Sequence, residues 1–202
     1  MRFFSVLTAL ILVGGASAAA AQDVAYGVKA GVNFATLSYD PDAEADLGTR
    51  VGLVVGGFVS MPLGARLSLQ PEVLFSQKGQ TAEGMGVTAK IKLDYLEVPV
   101  LVTYALSRSA GRGFYILAGP SIAFKLSAEA SATFGDQEVD DDDIGDEIED
   151  FDFGVVFGAG MDFGRLTVDG RYTLGFTNLS IDTEDAAKVK NRAISILAGI
   201  RF

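Results

Sequence analysis

From Gly27 onward, apolar residues recur at every second position. In the last segment Ile194, Ile196, Ala198, Ile200 and Phe202 share one parity, and Ala193, Ser195, Leu197, Gly199 and Arg201 the other. Side chains two apart lie on one face of a strand, so this segment is an amphipathic strand with a single apolar face. The pattern repeats upstream. Val28, Ala30, Val32 and Phe34 alternate with Lys29, Gly31 and Asn33, and Leu67, Leu69, Pro71, Val73 and Phe75 alternate with Arg66, Ser68, Gln70 and Glu72. Similar strands start near Val51, Phe114, Phe153 and Val168. The fourth strand is less regular. Ile91, Leu93 and Tyr95 are apolar on odd positions, but Leu96, Val98, Val100, Val102 and Tyr104 carry the pattern beyond them. Such a parity switch predicts a β-bulge near Tyr95 to Glu97, or a register unlike that of the other strands.

Eight strands result, joined by Leu37–Gly48, Met61–Ala65, Gln80–Val87, Ser107–Gly111, Ser127–Asp150, Gly164–Arg165 and Thr177–Lys190. Long and short connections alternate throughout, as in an up-and-down barrel of an outer membrane, which has short periplasmic turns and long external loops. The expected fold is all-β, an eight-stranded antiparallel up-and-down transmembrane β-barrel.

Alternation alone also fits a soluble lipocalin-like binder of the periplasm, with its apolar face turned inward. Three features favour lipid. The non-apolar face is rich in glycine and carries few charges, where a soluble exterior would be rich in Lys and Glu. Aromatic residues gather at strand ends: Phe34, Phe75, Phe124, Phe151 and Phe176 toward the long loops, Tyr104, Phe114, Phe163 and Phe202 toward the short turns. That suits interfacial girdles. Finally, Phe202 closes an amphipathic strand, which resembles the signal read by the outer-membrane insertion machinery. The N-terminus agrees. Arg2, an apolar run from Phe3 to Val13 and Ala19-Ala20-Ala21 read as a cleaved export signal over residues 1–21, leaving 22–202 as the barrel domain of a Gram-negative outer membrane.

Composition narrows the chemistry. Cysteine and histidine are both absent, which removes thiolate and imidazole catalysis and Cys/His zinc sites. Without Arg2, 15 of the 16 Lys+Arg remain against 26 Asp+Glu, a net of −11. The eleven acidic residues between Asp136 and Asp152, a stretch with no basic residue, account for all of it. A basic face for nucleic acid is therefore not expected. Within this stretch Asp140, Asp141, Asp142, Asp143, Asp146 and Glu147 offer hard oxygen ligands of the kind calcium takes. However, Ile144 stands where an EF-hand loop would place an acid, and a block of like charge ordinarily forms a solvated loop. The expectation is no cofactor, with calcium as the alternative. That loop also permits contact, through divalent cations, with anionic surface polysaccharide or with other proteins.

On the other face Glu72 and Glu97 sit on adjacent strands, with Lys29, Arg66, Asp169, Arg171 and Arg201 as further charges. Eight strands leave a lumen just wide enough for side chains, so these residues are expected to form an ion-pair network plugging the barrel. A path for ions or small solutes, making the protein a small porin, is the other reading. An aspartyl mechanism, from the acidic loop or from Asp152 and Asp162, has no motif behind it, and no enzyme is expected.

Several stretches carry a family likeness. Gly27-Val28-Lys29-Ala30-Gly31-Val32-Asn33, Leu69-Gln70-Pro71-Glu72-Val73-Leu74-Phe75-Ser76-Gln77-Lys78-Gly79 and Tyr95-Leu96-Glu97-Val98-Pro99-Val100-Leu101 are three. With Gly119-Pro120, Gly158-Ala159-Gly160-Met161-Asp162-Phe163 and the ending Gly199-Ile200-Arg201-Phe202, they resemble the PorT-like outer-membrane β-barrel family, the porin-like barrels of Bacteroidetes and their relatives. The resemblance implies architecture and location. It implies no activity, and the acidic loop departs from the usual pattern.

Overall fold

The computed structural model describes residues 24–40, 47–84, 87–109, 112–134, 137–179 and 188–202. The expected export segment, 1–21, lies outside the described residues. The strands are β1 (Ala25–Asp40), β2 (Leu47–Pro62), β3 (Leu67–Gly84), β4 (Val87–Ser109), β5 (Arg112–Phe134), β6 (Gln137–Asp143), β7 (Phe151–Phe163), β8 (Leu166–Gly175) and β9 (Lys188–Arg201). All but β6 form a closed antiparallel ring, in which β1 pairs with β2 and β9, β4 pairs with β5, and β5 pairs with β7. Closure removes the unpaired sheet edges that lipid would not tolerate. The remaining strand, β6, pairs with the outer part of β5 beyond the ring.

The period-2 faces divide as the alternation predicts, and the apolar one points out. Val28, Val51, Leu53, Ile194, Ile196 and Ile200 are exposed, whereas Lys29, Asn33, Glu72, Asp169 and Arg171 are buried. This overturns the lipocalin-like alternative, whose apolar face would line the interior. The outward apolar rows run from Tyr26 to Phe34 on β1 and from Ile194 to Phe202 on β9, nine residues each. A tilted strand crosses a bilayer in about 9–11 residues. At the inner end Tyr26 and Phe202 pack with ring centroids 5.9 Å apart, and the Phe202 N–H donates to the Tyr26 carbonyl at 2.7 Å.

Two expectations need correction. Two of the long outer connections are largely strand. In place of a loop over Gln80–Val87, β3 continues to Gly84 and β4 begins at Val87. In place of one over Ser127–Asp150, β5 continues to Phe134, β6 returns to Asp143, and a single 3-10 turn, Gly145–Glu147, leads toward β7. Above the membrane the outward face of a strand meets water instead of lipid, while Lys78, Gln80, Ala128 and Ser131 stay buried on the inner face. The backbone ladder continues there with no strongly apolar parity to announce it.

The bulge lies where the parity switch predicts, but on the partner strand. Asp94 pairs with Ser127 and Tyr95 with Lys125, which leaves Leu126 as the extra residue on β5. The pairing of β3 with β4 keeps one register across the same level, and Leu93, Tyr95, Glu97 and Leu101 all point inward. The switch in β4 is thus a change in what the lumen contains. Toward the outer mouth the lumen itself becomes apolar.

The glycines of the inner face have a steric reason. A Cβ at Gly31 would stand 1.9 Å from the Ile196 carbonyl oxygen, and one at Gly119 2.0 Å from that of Val100. Backbone must move to admit a methyl group at either place. Gly31→Ala is expected to cost about 1–3 kcal/mol, the usual scale for overpacking. Equilibrium urea unfolding in lipid vesicles measures this, and an unchanged midpoint would refute the close approach.

Candidate functional site in the lumen and at its mouth

The inward residues of adjacent strands stack in layers, because neighbouring strands place equivalent positions at similar heights. The inner layer is charged. Glu72 from β3 accepts hydrogen bonds from Lys29 Nζ at 2.9 Å, from Arg171 Nη1 and Nη2 at 2.6 and 3.0 Å, and from Gln70 Nε2 at 2.7 Å. Asp169 accepts from Lys29 Nζ at 3.3 Å, from Arg171 Nε and from the Tyr115 hydroxyl at 3.3 Å. Two cations meet two carboxylates, so the layer is formally neutral. Lys29 also stands 4.7 Å from the centre of the Phe58 ring. Paired and fully hydrogen-bonded charges are the form in which such groups tolerate burial.

Apolar side chains follow: Val54, Leu74 and Leu197 on one side, Leu101, Leu117 and Val156 on the other. Above them Lys78 Nζ pairs with Glu97 Oε2 at 3.0 Å, and the Ser121 hydroxyl donates to Glu97 Oε1 at 3.1 Å. Beside this pair Ser195 donates to Asn33 Oδ1 at 2.6 Å, and Asn33 Nδ2 donates to Ser76 at 2.9 Å. A void of about 10 Å³ lies between these polar groups and the leucines below, room for no more than about one water. Farther out, Asn191 Nδ2 donates to the Tyr95 hydroxyl at 3.2 Å and to Asp152 Oδ2 at 3.0 Å.

The outer mouth is closed by hydrocarbon. Leu37, Leu93, Tyr95, Ala123, Ala128 and Leu179 form a buried cluster, with Ile144 and Ile148 of the β6–β7 connection packed on it. Lys125 secures that connection. Its ammonium donates to the carbonyls of Gly145 and Ile148 and lies 3.1 Å from the Asp150 carboxylate.

The structure therefore brings Lys29, Glu72, Asp169 and Arg171 together, while Glu97 sits a layer farther out. Arg201 lies at the inner end, 2.7 Å from Asp162. Arg66 is exposed in the β2–β3 turn and forms no ion pair among the described residues. Of the calcium candidates, Asp140, Asp141, Asp142 and Asp143 lie on β6. Asp143 Oδ1 accepts the Gly145 N–H at 2.8 Å, and Asp146 is exposed. The side chains of Asp140, Asp141, Asp142 and Glu147 lie outside the described residues. Among those described, no three acidic side chains converge where a cation would sit. Asp152 and Asp162 stand at opposite ends of β7, roughly 30 Å apart at about 3.3 Å per residue, so they do not act as a carboxylate pair.

Lys78, Asn191 and Lys125 were missed as site residues. For Lys78 the signal was present, since it shares its parity with Glu72 and Ser76 on β3. Lys125 lies one residue before the bulge, and its contacts are to backbone carbonyls, which no side-chain pattern announces.

No helix among the described residues is long and apolar enough to cross a membrane; the crossing elements are strands. A closed ring of eight antiparallel strands, apolar outside and packed with paired polar groups inside, is an integral β-barrel of the outer membrane. The chain belongs to the outer membrane protein beta-barrel domain family, which it matches over residues 20–180. None of the curated proteins matches it. Among solved structures it is similar to Ail, the attachment invasion locus protein of Yersinia pestis, at 16% identity and a TM-score of 0.49, over 90% of this chain and 100% of that one. Similarity to OprG of Pseudomonas aeruginosa is 10% identity, with a TM-score of 0.48 over 88% and 95%. Neisserial surface protein A gives 12% and 0.46 over 88% and 99%.

Proposed function

We propose that this protein is a plugged, non-enzymatic barrel that acts at the cell surface through its outer hairpins. One observation carries the reading: every level of the lumen from Lys29 to Leu93 is filled, first by a neutral ion cluster, then by leucine and valine, then by hydrocarbon under the β6–β7 connection. A barrel stoppered in this way offers solutes no continuous aqueous path. What it presents outward is the β3–β4 hairpin and the acidic β5–β6 hairpin. The partners that suit the latter are surface polysaccharide, bridged by divalent cations, or the basic face of another protein. No cofactor or nucleic acid is part of this reading. The narrower PorT-like affinity belongs to the same proposal and rests on Gln70-Pro71-Glu72 and Leu96-Glu97-Val98-Pro99, whose glutamates both point into the lumen. Uptake by the insertion machinery through β9 and Phe202 belongs to it as well.

Purified barrel in a planar bilayer is expected to give no steady single-channel current. A reproducible conductance, altered in size by Lys78→Ala, would replace this reading with a small porin.

A further inference from the structure

The inner end of the lumen is built differently from its middle. Below the charged layer lies a cavity of about 80 Å³, walled by Ser60, Arg66, Ser68, Thr103, Asp162 and Arg201 and facing the periplasmic rim. Gln70 and Tyr115 form its floor, and both direct hydrogen bonds upward, to Glu72 and Asp169. Hydrogen-bond donors are in excess here. Asp162 is the single carboxylate of the wall, and Arg201 Nη2 neutralises it at 2.7 Å. The Arg66 guanidinium forms no ion pair among the described residues, so the cavity carries one uncompensated positive charge.

Two further groups have no partner. Arg201 Nε is buried and donates to nothing among the described residues, and neither does the hydroxyl of Thr167, which lies opposite Asp162 in the β7–β8 ladder but outside the cavity wall. A buried donor without an acceptor is unfavourable by about 1–3 kcal/mol, more when charged.

We infer that this vestibule binds a small tetrahedral oxyanion, either inorganic phosphate or a phosphate monoester, entering from the periplasm. The donors favour such a shape. They come from β2, the β2–β3 turn, β3, β4 and β9, so four of the ring's eight strands contribute. Oxygens pointing in several directions can use them at once, whereas a planar carboxylate presents two oxygens in one plane. Arginine forks are also the side chains best matched to phosphate. A monoester places its phosphate against Arg66 and Arg201 and leaves its organic part in the open mouth.

The test uses the folded full-length barrel in lipid nanodiscs, with the arginine Nε–Hε resonances followed by NMR. Inorganic phosphate and glycerol phosphate are titrated separately, with chloride matching the ionic strength. The Arg201 signal is expected to shift saturably, and Arg66→Gln to weaken binding about tenfold, corresponding to about 1.4 kcal/mol. Arg66 lies exposed in a turn, so the variant should keep the heat-modifiable gel migration of a folded barrel. Saturation by both anions assigns the site to monoesters, and saturation by inorganic phosphate alone assigns it to the free ion. A shift that chloride reproduces, or an Arg66→Gln barrel that binds phosphate as tightly as the parent, overturns the inference.

Discussion

Glu72→Ala is expected to destabilise the folded barrel by about 3–5 kcal/mol, the scale for removing one partner of a buried ion cluster. Glu72 is the centre of its layer, accepting from Lys29, Arg171 and Gln70. Without it, two cations face Asp169 alone, and the layer holds a net positive charge shut away from water. The loss should therefore come mainly from the orphaned charge and less from the absent bonds. A compensated variant separates the two contributions. Glu72→Leu combined with Arg171→Met leaves Lys29 and Asp169 still paired, and it should recover most of the lost stability, since replacing a buried pair by apolar groups of similar volume is often close to neutral. Urea unfolding in vesicles, followed by circular dichroism because the chain has no tryptophan, reads both variants. A cost for Glu72→Ala below about 1 kcal/mol would mean that water reaches the cluster. The plugged reading would then fail, and the conductance experiment would be expected to show current.

That cluster was partly legible in the sequence. Parity alone places Lys29, Glu72, Asp169 and Arg171 on the inner face, because a strand with lipid outside cannot carry them elsewhere. Parity is silent on height and reach. Nothing in it shows that Arg171 spans from β8 to Glu72 on β3, or that Glu97 sits a layer farther out with Lys78 as its partner. Arg66 marks the other limit. It has the right parity for the lumen, yet it stands in the turn before β3 begins, at the rim. The outer hairpins were illegible for a related reason. From Gln77 to Gly84 both faces are polar or small, and from Ser127 to Thr133 alanine alternates with Ser, Glu and Thr, a parity too weakly apolar to stand out from a loop. Leu93 and Tyr95 mislead in the opposite sense, because they are apolar and yet face inward, where Ile144 and Ile148 complete their packing.

Ile196→Arg should cost about 2–4 kcal/mol in a bilayer, whereas Val24→Arg should cost no more than about 1 kcal/mol. Both side chains are exposed on the outer wall, at 52% and 47%, so exposure alone would predict equal tolerance. Depth separates them. On β9 the outward row runs from Arg192, where charge is already present, through Ile194, Ile196, Ala198 and Ile200 to Phe202, which puts Ile196 close to the middle of the apolar band. Val24 precedes β1 next to the Tyr26–Phe202 pair, at the level of the inner headgroups. An arginine there reaches water, whereas one at Ile196 must drag headgroups or water toward the bilayer centre. Reversible unfolding from vesicles gives both costs directly, and repeating it in a thinner bilayer should lower the cost at Ile196 and leave that at Val24 unchanged. Equal costs at the two positions would mean that the band is misplaced along the barrel axis. The rows of aromatics taken as its borders would then need a different explanation.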